Sequence, residues 1–195
     1  MFFNGNAADA GQRAAVIQAL EGRHVRVLFH SLAFGSLKPV VGPDAASQRQ
    51  IEMTADVMGH SLIYWARDLA DGGLMSEGGR ILAMTSEGST RAIPQYGPVS
   101  AAKAVLEAHT RQLAVELAPR GITANALLAG TTDTPALRKI PGHERLLEWA
   151  LARNPHHRLT TPEDVARVVA AFASPATAWI TGNTIRVDGG EGIAG

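Results

Sequence analysis

Tyr96 and Lys103 are the two residues whose types and spacing carry the most chemistry in this sequence. They stand seven positions apart. At about 3.6 residues per turn that is two turns of an α-helix, so both side chains return to nearly one face. A phenol there can donate a hydrogen bond to a substrate carbonyl. An ammonium beside it can hold a cofactor hydroxyl and favour negative charge developing nearby. The spacing alone also describes any amphipathic helix, so the pair gains meaning only from what surrounds it. Three short segments of small and polar residues are the candidates: His30-Ser31-Leu32-Ala33-Phe34-Gly35, Thr85-Ser86-Glu87-Gly88 and Ala129-Gly130-Thr131-Thr132-Asp133-Thr134. Small residues let a flat ligand approach the backbone, and hydroxyls can bond ribose or phosphate. Ordinary strand-to-helix turns have the same composition.

The elements that must position these residues follow from the period of the apolar positions. Strands are expected at Phe2 to Asn6, Val25 to Phe29, Arg80 to Met84, Ile122 to Leu128 and Thr184 to Val187. Helices are expected over Ala10 to Leu20 (capped by Asp9), Asp44 to Ala70, Tyr96 to Ala118, Glu144 to Ala152 and Pro162 to Ala173. The last has the clearest start: Thr161 as cap, Pro162 at the first helical position, and Glu163 and Asp164 at the positive end of the dipole. Strands alternating with helices of ten or more residues predict βαβ units and a parallel sheet, an α/β chain forming one domain over residues 1–195. In such sheets ligands bind beyond the carboxyl ends of the strands, where all three polar segments fall.

Composition excludes several classes of function. The chain has 195 residues, 18 Lys and Arg against 18 Asp and Glu, 46% apolar residues and no cysteine. Zero net charge removes the electrostatic argument for nucleic acid or an anionic membrane. Without cysteine there is no disulfide framework, thiolate nucleophile or zinc-thiolate site. No signal peptide and no run of about 20 apolar residues is visible, so a soluble cytoplasmic protein is expected. His156-His157 with His143-Glu144 lacks a metal-binding spacing and reads as a solvated loop. Trp179 and Ile180 read as core or subunit-interface residues, and Tyr64 and Trp65 as core.

The wider context of Tyr96 and Lys103 resembles the short-chain dehydrogenase/reductase superfamily, in its enoyl-acyl-carrier-protein reductase branch, and most of all the members of that branch that use NADPH. Most of the superfamily carries Tyr-x-x-x-Lys, but Val99 stands four before Lys103. The enoyl reductases have six residues between Tyr and Lys, as here. Arg91-Ala92-Ile93-Pro94-Gln95-Tyr96, His30-Ser31-Leu32-Ala33-Phe34, Leu113 through Asn125, Thr132-Asp133-Thr134 and Gly182 through Gly190 match in order. The resemblance implies a Rossmann-like doubly wound parallel sheet and NADPH- or NADH-dependent reduction of the 2,3 double bond of an enoyl thioester in fatty acid synthesis. The acyl group would be carried on acyl carrier protein or coenzyme A. It implies that Tyr96 bonds the thioester carbonyl and that Lys103 binds the nicotinamide ribose. Ser31 and Ala33 would line the cofactor, Asn6 and Ala7 would sit near its adenine, Thr132 would meet the carboxamide and Thr134 a phosphate. A homodimer or homotetramer is implied as well. Ser86 falls where many members have a catalytic serine and where the enoyl reductases often have a second aromatic residue. A ketone or alcohol substrate, such as a 3-oxoacyl thioester, is the alternative it leaves open. Trp149, with Leu146, Leu147 and Leu151, falls where the family has a lid over the acyl chain, or simply packs its helix.

The family's opening strand, Gly-rich turn and helix have no counterpart in these 195 residues. The sheet is therefore expected to lack its first two strands and to leave the Val25 to Phe29 strand with an unpaired apolar edge. On that ground the chain is expected to be a fragment or a gene begun at an internal Met. A shortened, non-catalytic remnant that binds dinucleotide weakly or not at all is the third reading.

Overall fold

A computed structural model describes residues 1–194. Four parallel strands form one sheet: β1 (Val27–His30), β2 (Arg80–Thr85), β3 (Thr123–Ala129) and β4 (Thr184–Val187), in spatial order β1-β2-β3-β4. The register pairs Val27 with Arg80, Arg80 with Thr123 and Ala126 with Thr184. Among the described residues β1 has no second neighbour, so the open edge expected there is present. The expected strand at Phe2 to Asn6 does not form; that segment is irregular and exposed. Asn6 instead turns the chain, its Oδ1 accepting from the Ala8 amide at 3.0 Å ahead of the first helix.

Helices cover both faces of the sheet, as the Rossmann-like α/β reading requires. α1 (Ala10–Ala19) is capped by Asp9, whose side chain accepts from the Gln12 amide. The long second helix runs as α2 (Gln48–Ala55) and α3 (Ser61–Asp71), joined by a π turn over Asp56–His60 that periodicity did not foretell. α4 (Gly97–Glu116) and α3 pack on the face carrying Leu28, Ile81, Ala83, Ala124 and Ala126, with Leu62, Ala66 and Leu106 fully buried between. α5 (His143–Arg153) and α6 (Pro162–Phe172) follow β3. Thr161 and Asp164 form the capping box of α6. Val165 and Val169 of α6, with Val27 and Phe29 of β1, line a cavity on the sheet's other face.

Of the two places expected for Trp179 and Ile180, core or subunit interface, the core is excluded: Trp179 is fully exposed and Ile180 exposed. Tyr64 and Trp65 are half-buried rather than core. Each places a polar tip on a partner, Tyr64 on the Asp56 carboxylate and Trp65 Nε1 on the Ala7 carbonyl. His156 and His157 are exposed, as expected of a solvated loop, and no cluster of metal-ligating side chains occurs among the described residues. None of the described helices is long and apolar enough to cross a membrane.

Candidate active site

The carboxyl ends of β1, β2 and β3 open into one cavity of about 1050 Å³. Seven of the nine residues singled out from sequence line it: Ser31, Ala33, Ser86, Tyr96, Lys103, Thr132 and Thr134. Asn6 and Ala7 do not. Their segment passes beside α3, where the Ala7 carbonyl accepts from Trp65. The structure therefore brings the reactive pair and the three polar turns together and leaves the N-terminal pair outside.

Tyr96 is set by local backbone. The preceding Gln95 has a φ of +59°, a left-handed conformation that few side chains adopt, and it turns the chain so that Tyr96 caps α4. The Tyr96 ring lies over Gly88: a Cβ there would meet its Cε1 at 2.6 Å. Its hydroxyl has no protein hydrogen-bond partner among the described residues, so its proton is free for a ligand. Two turns on, Lys103 is 4% exposed. Its ammonium donates to the Met84 carbonyl at 2.7 Å and the Leu32 carbonyl at 3.3 Å, one from each flanking strand end. An ammonium has three protons, so one donor remains. Burial lowers its pKa to about 8, while the Glu107 carboxylate, one turn further along α4, opposes that fall.

Glu107 belongs to the site's support and was not singled out from sequence. It is buried, and Thr85 donates to it at 2.6 Å. His30, also buried, lies close enough to Lys103 to feel its charge. Its Nε2 lies 2.7 Å from Ser61 Oγ, and that hydroxyl gives its own proton to the Val57 carbonyl. Nε2 is therefore the protonated nitrogen, and Nδ1 is left buried without a partner among the described residues. Burial, and then the nearby Lys103 charge, lower the His30 pKa to about 4. Ser86 Oγ accepts from the Gly88 amide at 3.0 Å, which leaves its own proton free at the cavity wall. Thr131 is clamped to Glu191 through both its amide (2.9 Å) and its hydroxyl (2.7 Å), and this fixes the turn that carries Thr132 and Thr134.

The sequence model described as "Enoyl-(Acyl carrier protein) reductase" matches residues 1–191. The chain belongs to the enoyl-(acyl carrier protein) reductase family. It is 34% identical over 188 residues to enoyl-[acyl-carrier-protein] reductase [NADH] 2 of Rhizobium meliloti, covering 95% of this chain and 69% of that protein. Identity to the NADH enzyme of Escherichia coli is 32% over 167 residues, 85% of this chain and 63% of that protein. The chain thus spans about two thirds of the length of these relatives. Among solved structures, the enoyl-acyl carrier protein reductase of Bacillus cereus, complexed with NADP+ and indole naphthyridinone, superposes with a TM-score of 0.90 at 28% identity, covering 98% of this chain and 75% of that one. The superfamily and the Rossmann-like fold read from the motifs around Tyr96 and Lys103 are those of the enoyl reductases.

The residues present fit the nicotinamide-ribose end of a dinucleotide. Lys103 keeps one ammonium donor uncommitted at the cavity wall, and the turn after β1 puts only the small side chains of Ser31 and Ala33 beside it. Both features suit a flat ring carried on a hydroxylated sugar.

Proposed function

We propose that this chain acts in the NAD(P)H-dependent reduction of the 2,3 double bond of an enoyl thioester carried on acyl carrier protein or coenzyme A. The observation that carries the reading is the convergence of Tyr96 and Lys103, from one face of α4, on the cavity that the three polar turns enclose. NADPH or NADH, when bound, supplies the hydride. Tyr96 donates a hydrogen bond from its unpartnered hydroxyl to the thioester oxygen and stabilises the enolate that forms as the β-carbon is reduced. Lys103 would hold the ribose, and its positive charge favours the negative charge that develops nearby. Thr132 and Thr134 would hold the carboxamide and a phosphate, and Ser31 and Ala33 would line the cofactor.

A specific observation favours a second reading. The free Ser86 proton at the wall suits a ketone or alcohol substrate, as in reduction of a 3-oxoacyl thioester. Assaying 2-enoyl against 3-oxoacyl thioesters separates the two. The first test is the melting temperature with saturating NADPH or NADH. A ligand at about 100 times its Kd stabilises by roughly 2.7 kcal/mol. A shift supports the reading; a cooperative melt with no shift supports a folded remnant without dinucleotide chemistry.

Two variants probe the site's construction. Gly88→Ala drives a methyl group into the Tyr96 ring. A displacement of a fraction of an ångström is expected to lower kcat by about tenfold or more, with little change in cofactor Kd. An unchanged kcat would show that the ring's place on Gly88 does not matter. Glu107→Gln keeps the acceptor for Thr85 but removes the charge that holds the Lys103 pKa up. The reaction needs the ammonium, so kcat/KM is expected to fall above pH about 8, and in Glu107→Gln that alkaline limb moves to lower pH. A limb that stays in place removes Glu107 from the control of Lys103.

A further inference from the structure

Arg153, the last residue of α5, is a buried guanidinium of an unusual kind. Its side chain is 6% exposed, and Nη1 is buried with no hydrogen-bond partner among the described residues. Arg80 offers the contrast within this chain. That guanidinium is also buried, but it is held by the Phe172, Gly78 and Gly79 carbonyls. Among the described residues Arg153 has one backbone acceptor, the Ala194 carbonyl at 2.9 Å from Nε. Its other two contacts are side chains of the cavity wall. The guanidinium carbon lies 4.5 Å over the Trp149 ring, and Nη2 lies 3.8 Å from the Glu87 carboxylate. Both Trp149 and Glu87 line the cavity, whereas Arg153 stays behind them. Glu87 directly follows Ser86 and is shared with Arg186 at 3.4 Å and Arg91 at 3.7 Å.

We infer that Arg153 is a positioning residue: it holds the Trp149 ring from behind and ties α5, through Glu87, to the turn that carries Ser86, and so fixes the apolar wall along which the substrate's acyl chain runs. The acyl part of this inference rests on the enoyl-thioester reading. The positioning part does not. A cation over an indole is attractive because the ring face is negative; here the guanidinium is withdrawn from water while Trp149 stays half exposed. Arg153 is itself anchored on Glu87, so the ring's position depends on a charge in the turn after β2. Leu146 and Ile140 stand on the same cavity wall as Trp149. Loss of the brace therefore reaches the apolar side of the site without touching Tyr96 or Lys103.

The test uses the whole chain labelled with 5-fluorotryptophan. Its three tryptophans give three fluorine resonances, and Trp149→Phe assigns one of them. Arg153→Met, which keeps side-chain length against the ring, is expected to shift and broaden the Trp149 resonance and leave the other two in place. Glu87→Gln, which leaves the Arg153 side chain whole, is expected to move the same resonance. With substrate, Arg153→Met is expected to raise KM for a long dodecenoyl thioester by about tenfold while KM and kcat for the short crotonyl thioester hold. A Trp149 resonance unmoved in both variants overturns the inference. Equal losses on long and short substrates overturn its acyl part and leave Arg153 a purely structural residue. If the unaltered chain reduces neither thioester, the enoyl-reductase reading fails, and the fluorine spectra alone decide whether Arg153 positions Trp149.

Discussion

Tyr96→Phe is expected to cut turnover of an enoyl thioester by two to three orders of magnitude, the cost of deleting one donor aimed at a developing oxyanion, about 10²–10³ in kcat. The substitution is clean on this structure. The ring keeps its seat on Gly88, and the hydroxyl that is lost bonds nothing in the protein among the described residues. Melting temperature and NADPH affinity should therefore stay where they were, since Lys103 keeps both of its carbonyl contacts. The check is steady-state NADPH oxidation with an enoyl thioester, alongside cofactor titration of the same variant. Turnover within threefold of the unaltered chain would take Tyr96 out of the mechanism and turn attention to the free proton of Ser86.

The second large effect is on stability in acid. His30 is held neutral in the folded chain, with its pKa lowered to about 4 by burial and by Lys103, against 6.5 for a free histidine. Between those values the unfolded chain takes up a proton that the folded chain does not. Its contribution is therefore fully present above pH 6.5 and is lost as pH falls towards 4. The difference in pKa corresponds to about 3 kcal/mol, or on the order of 10 °C in Tm for a chain of this size. Other groups titrate in the same range, so the informative quantity is the difference between the chain and His30→Gln, melted at a series of pH values. The variant's acid arm should be flatter by about that amount. Parallel curves would mean that water or a local rearrangement meets Nδ1 and that His30 carries none of the acid sensitivity.

How much of this was legible in the sequence depends on the residue. The β4 strand and the start of α6 were, because Thr161, Pro162 and Asp164 are local signals that need no tertiary context. So was the joint position of Tyr96 and Lys103, because helical spacing and strand-end placement are both short-range rules. Phe2 to Asn6 failed for the opposite reason: a short apolar stretch becomes a strand only if a neighbour takes its hydrogen bonds, and none of the described strands does. The π turn at Asp56–His60 inserts one residue into a helix without changing which residues are apolar, so periodicity passes over it. Glu107 was invisible because a glutamate one turn after a lysine on a helix looks like an exposed ion pair. Only packing against β2 shows that both are buried. Glu87, Arg153 and Trp149 likewise come from separate stretches of chain, and their meeting is a product of the fold.

The all-parallel sheet also says something about how this chain reaches its structure. No two of its strands can be joined by a hairpin, and the ladder partners nearest in sequence, Arg80 and Thr123, are 43 positions apart. Each ladder must wait for the helix between its strands to form and swing across a face, so the entropy of closing a long loop is spent before the first strand-to-strand bond returns anything. Folding is therefore expected to be slow beside that of a helical bundle of equal stability. Throughout that delay the β1 backbone stays unpaired, and association with other chains competes with folding in proportion to protein concentration. Refolding yield that declines as concentration rises, at a constant folding rate, is the signature of that competition.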